Sequence, residues 1–60
     1  MDDKIKTQYF MNIGVTVMGQ IEDQGDTVDK ALETDFWTAV DTKDSKRLSF
    51  IVTQLANQLN

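Results

Sequence analysis

Neither Cys nor His occurs among the 60 residues of this chain, and that double absence limits its fold more than any motif does. A chain of this length buries only about 60% of the surface that its unfolded form exposes. Small domains commonly offset the deficit with disulfides, a structural metal or a second subunit. Disulfides are impossible here, and zinc, haem and iron–sulfur sites lose their ordinary ligands. Self-association remains, so the expectation is one small domain over residues 1–60 that forms a homo-oligomer. With 40% hydrophobic residues, the chain has enough apolar material to fold rather than stay disordered.

Two polar turns, Glu22 to Asp26 around Gly25 and Asp41 to Ser45, divide the chain into three segments without Pro or linker composition. In the last segment Leu48, Ile51, Val52, Leu55 and Leu59 recur at spacings of three and four. That period predicts an amphipathic helix from about residue 44 to 59, capped by Asp44 or Ser45. The middle segment is expected to start with Asp26 as its cap and to carry Val28, Ala31 and Leu32 on one face. Continued as one helix, it sets Asp35 in the apolar face. Either Asp35 is paired, or the helix breaks near Thr34 and Asp35 caps a second piece, Phe36 to Val40.

The first segment supports two readings. As a helix it repeats Ile5, Tyr9, Ile13, Val17 and Ile21 every fourth residue, with Phe10, Met11, Val15 and Met18 widening the apolar arc. Tyr9, Phe10, Met11 and Met18 are then expected in the core. As a strand, Tyr9, Met11, Ile13, Val15 and Val17 alternate, and the run from Ile13 to Val17 suits strand propensity. Gly14 and Gly19 would each cost a helix about 1 kcal/mol relative to Ala. A strand, however, needs partners, and taking them from Arg47 to Val52 dismantles the final helix. The preferred fold is all-α, a small three-helix unit. The alternative is a small α+β fold with a short antiparallel sheet.

The formal charge of −4 disfavours direct binding to nucleic acid, which depends on clustered Lys and Arg. Only Lys43, Lys46 and Arg47 cluster, with Asp41 and Asp44 among them. Anionic membrane surfaces are disfavoured for the same reason. The longest uncharged stretch, Thr7 to Ile21, is 15 residues with five polar side chains, short of the roughly 20 apolar residues of a spanning helix. Met1-Asp2-Asp3 lacks the basic start of a secretory signal, and the expected location is cytoplasmic.

Chemistry finds little support. Nucleophilic catalysis needs an activated Ser, Cys, Thr or Lys, most often beside His, and the spacing of Ser45, Ser49 and the threonines singles out no pair. Gly14 and Gly19 fit neither phosphate-binding glycine pattern. Aligning Gly25 with the glycine of an EF-hand loop puts Gln20 at the first ligand position and Ala31 where the bidentate Glu belongs. No enzyme activity, metal or other cofactor is expected.

The acids remain. Glu22, Asp23, Asp26, Asp29, Glu33 and Asp35 lie within 14 positions that contain one cation, Lys30. On a continuous helix Glu22, Asp26, Asp29 and Glu33 would form one line, neighbours roughly 5 to 6 Å apart, a spacing near that of nucleic-acid phosphates. The function expected is a non-enzymatic protein-interaction module, an acidic inhibitor or adaptor for the basic surface of a nucleic-acid-handling protein. Asp26, Asp29, Glu33 and Asp35 supply the charge, and Trp37 and Phe50, both off their apolar faces, supply the anchors. Two readings compete: a solvated helix face, and a self-assembling subunit that uses the broad apolar arc of the first segment.

Overall fold

The computed structural model describes residues 2–59. It contains three helices, α1 (Asp3–Asp23), α2 (Lys30–Asp41) and α3 (Ser45–Ala56), and no strand among the described residues. The all-α expectation therefore holds and the sheet does not. Helix α3 is the hinge of the packing, lying against both other helices, while α1 and α2 touch each other least. The radius of gyration is 11.0 Å, close to the roughly 10.4 Å expected for a compact chain of this size.

Each helix begins on an aspartate. The Asp2 carboxylate accepts from Lys4 N at 3.1 Å, that of Asp29 from Ala31 N and Leu32 N at 2.9 and 3.1 Å, and that of Asp44 from Arg47 N at 3.1 Å. These caps satisfy amides that helix geometry leaves without partners. Asp44 is thus the cap foreseen for α3, and the helix covers most of its expected span. For α2 the cap is Asp29 and not Asp26. The correction follows from how α1 ends: Gly25 N donates to Glu22 O and Asp26 N to Ile21 O, a Schellman closure with Gly25 at φ 84°. That closure takes up Asp26, whose carboxylate bonds Thr27 N at 2.8 Å. Val28 then drops into the core, and α2 starts only after it.

Helix α2 runs without a break through Thr34, and Asp35 is not a cap. It pairs instead with Arg47 of α3 at 3.2 Å, the first of the two outcomes that its position allowed.

The core consists of Val17, Met18, Ile21, Val28, Phe36, Ala39, Leu48, Ile51, Val52 and Leu55. In α1 the buried positions are Thr7, Gly14, Val17, Met18 and Ile21, a repeat near 3.5 residues, the seam period of packed helices. It differs from the every-fourth-residue row read from the sequence. Consequently Ile5 and Tyr9 face solvent, at 57% and 61% exposure, and Val15 is exposed too. Phe10 and Met11 are partly buried against the core and Met18 is buried, as expected, whereas Tyr9 is not a core residue. The β-branched run from Ile13 to Val17 is helical because tertiary burial outweighs local propensity. Within it Thr16 Oγ1 donates to Asn12 O at 3.0 Å, a bond one turn back that Thr38 and Thr53 repeat within α2 and α3 and Thr42 repeats just after α2.

Candidate protein-binding surfaces

The chain runs up, down and up. Ser45 Oγ lies 3.4 Å from Asp3 Oδ1, which joins the starts of α1 and α3. At the far end the Gln58 amide group donates to Thr27 O at 3.0 Å and accepts from Asp29 N at 3.4 Å, tying the end of α3 to the α1–α2 connection. This topology sorts the charges. Glu22, Asp23, Asp26, Asp29 and Glu33 share the connection end with the single cation Lys30. The other five carboxylates, Asp2, Asp3, Asp35, Asp41 and Asp44, are balanced by Lys4, Lys6, Lys43, Lys46 and Arg47. The whole formal side-chain charge of −4 therefore resides at one end.

Helix dipoles reinforce the asymmetry. The C-termini of α1 and α3, each equivalent to roughly −0.5 charge, point to the acidic end, against one N-terminus, that of α2. No basic residue occupies the last turn of α1 or α3. Asp35–Arg47 is the one ion pair among the described residues, so the five carboxylates of the acidic end are not neutralised internally.

The expected site does not gather as one surface. Glu22, Asp26, Asp29 and Glu33 are divided among the end of α1, the connection and α2, so the continuous helical line with its phosphate-like spacing does not form. Asp29 faces solvent but its carboxylate is engaged as a cap. Glu33 and Trp37 stand one turn apart on α2, and Trp37, 48% exposed, packs edge-on against the buried Phe36 ring at 4.9 Å between centroids. Asp26, Asp29, Glu33 and Trp37 thus occupy the acidic end and the flank that descends from it. Asp35 belongs to the α2–α3 seam, and Phe50, 56% exposed, to the outer face of α3.

The contact surface foreseen for self-assembly also changes. Val17, Met18 and Ile21 of the broad apolar arc are buried in the chain's own core, and only Ile5, Tyr9 and Val15 of that arc are exposed. Sequence reasoning missed a groove of about 880 Å³ at the end opposite the acids, where Ile5, Lys6 and Tyr9 of α1 face Lys43 and Lys46. Its signal is the offset between two periodicities in α1: the seven-residue repeat through Thr7, Gly14 and Ile21 leaves Ile5 and Tyr9 outside the core.

Among the described residues no group of three or more acids could hold a metal ion, and no helix is long and apolar enough to cross a membrane. No family model, curated protein or solved structure matches the chain.

Proposed function

We propose that this protein is a non-enzymatic interaction module whose acidic end docks on the basic surface of a nucleic-acid-handling protein, as an inhibitor or adaptor. One observation carries the reading: Glu22 and Asp23 sit in the last turn of α1, where the macrodipole and the neighbouring acids both oppose negative charge. Internal stability does not call for acids there. A basic partner does, because the same concentration of charge speeds encounter and fixes orientation. Trp37 on the adjoining flank offers a large apolar anchor.

The test is a pull-down from nuclease-treated lysate with salt-gradient elution, comparing the native chain with Glu22→Lys/Asp23→Lys. The native chain is expected to retain a basic protein that leaves at moderate salt, and the variant to retain none. Equal retention by both would refute the electrostatic reading. Self-assembly is the second reading, supported by the exposed Ile5, Tyr9 and Phe50. It predicts a sedimenting mass above that of one chain, which Tyr9→Ser lowers.

A further inference from the structure

We propose that this protein forms a two-fold symmetric dimer in which the ridge of Ile5 and Tyr9 on each copy seats in the groove between α1 and α3 of the other. The inference rests on the self-assembly reading and deepens it by assigning the surface, the symmetry and the side chains that carry the contact.

Shape is the first argument. Ile5 and Tyr9 stand one helical turn apart on α1 and are the two most exposed large apolar side chains among the described residues, at 57% and 61%. They separate two hollows. One is the groove of about 880 Å³ toward α3, and the other is a smaller recess of about 450 Å³ that they share with Lys4 and Gln8. The Phe10 ring, edge-to-face with Tyr9 at 5.5 Å, forms the groove wall behind the ridge. A two-fold interface uses the same patch on both copies, so that patch must carry a projection and a recess together. Here both lie side by side on one helix, and a ridge filling a groove is a common way for helices to pack.

Charge is the second argument. The groove lining holds Lys6, Lys43 and Lys46 together with Asp3 and Asp44, and the charges of this end balance, so it selects no strongly charged ligand of either sign. A two-fold contact suits such a surface because each copy presents cations and carboxylates to the other. The net charge of −4 resides at the opposite end of a molecule 35 Å long, against a Debye length of about 8 Å at physiological ionic strength. Contact groove to groove therefore keeps the two acidic ends out of range of each other, whereas contact through the connection end would bring them together. It also leaves both acidic ends free.

The exposed Trp37 of a second copy is the competing occupant. Seated in the groove, it would leave the ridge of Ile5 and Tyr9 uncovered and create a heterologous contact, which continues from copy to copy unless it closes into a ring. The two arrangements differ in stoichiometry and in the side chains that sustain them.

The experiment is analytical ultracentrifugation of the full chain from micromolar to millimolar concentration. The contact involves fewer residues than the roughly 20–30 a side of a standard interface, so the dimer is expected to be weak. A reversible rise to twice the mass of one chain, and no further, is expected. Ile5→Ser/Tyr9→Ser should raise the dissociation constant by about tenfold or more while circular dichroism stays helical, and Phe50→Ser and Trp37→Ser should leave it unchanged. Lys6→Glu/Lys46→Glu makes the lining acidic on both copies and should dissociate the dimer at low salt. With helical content unchanged, that variant should dimerise again at about 1 M salt, where the Debye length is about 3 Å. The mass of one chain at every concentration would overturn the proposal and the self-assembly reading together. A dimer that Ile5→Ser/Tyr9→Ser leaves intact would overturn the proposal alone and move self-assembly to another face. Growth beyond two copies that Trp37→Ser abolishes would overturn the two-fold arrangement in favour of a head-to-tail one.

Discussion

Gly14 of α1 receives the ring of Phe36 from α2. A Cβ placed on Gly14 would lie 2.7 Å from Phe36 Cζ and closer still to Cε1. Phe36 is fully buried, so the ring has no room to retreat. The close approach occurs between the two helices that touch each other least.

Gly14→Ala should therefore destabilise the domain although Ala is the better helix former. Overpacking of a tight core costs about 1–3 kcal/mol, against about 1 kcal/mol gained in propensity. Gly19 provides the control: it lies in the same helix, and a Cβ there would meet nothing within 4 Å. Gly19→Ala should gain up to about 1 kcal/mol. Urea unfolding followed by Trp37 fluorescence measures both, and a shift of the same sign in the two variants would contradict the packing argument.

Thr7 is buried and its hydroxyl has no hydrogen-bond partner, unlike the four threonines that bond the carbonyl one turn back. An unmet buried polar group carries a penalty of about 1–3 kcal/mol. Thr7→Val keeps the branched shape and removes that group, so the midpoint of urea unfolding should rise by an amount equivalent to about 1 kcal/mol. An unchanged or lowered midpoint would show that the hydroxyl is satisfied in solution.

The elements legible in the sequence are those whose signal is local. The α3 stripe from Leu48 to Leu55 and its cap Asp44 need only the spacing within one helix. The start of α2 is not legible in this way, because Asp26 and Asp29 are equally good caps locally. The choice between them is made by the Gly25 closure, which also engages the amide of Asp26. In α1 the wide apolar arc conceals which stripe faces inward, and Gly14, a flaw by helix propensity alone, is the contact point for a side chain 22 positions away. The charge asymmetry is half visible: the acids are adjacent in sequence, whereas the opposing lysines come from α1 and from the α2–α3 turn. Only the up-down-up path brings Lys6 to Lys43 and Lys46.

Helix α2 ends as α1 does, with Lys43 N donating to Val40 O, Asp44 N to Ala39 O and Lys43 at φ 56°, and these two Schellman closures give a matched pair of substitutions. Lys43→Gly removes a left-handed non-glycine residue and should stabilise by about 1 kcal/mol. Gly25→Ala, at φ 84°, should destabilise by a similar amount, about 1 kcal/mol. Thermal unfolding monitored by circular dichroism reads both. A stabilising Gly25→Ala would mean that the first closure is not maintained in solution.

The acidic end should trade stability for binding. Glu22→Lys and Asp23→Lys each place a cation in the last turn of α1, where the macrodipole favours it by about 0.3–1 kcal/mol, and each also relieves repulsion among the remaining acids. The double variant should melt higher than the native chain, with the gain shrinking as salt screens the charges. Loss of partner retention in a more stable protein cannot be ascribed to unfolding, so the two measurements together isolate the electrostatic role. If the double variant melts lower at every salt concentration, these acids serve the fold, and the observation that supports docking through this end is lost.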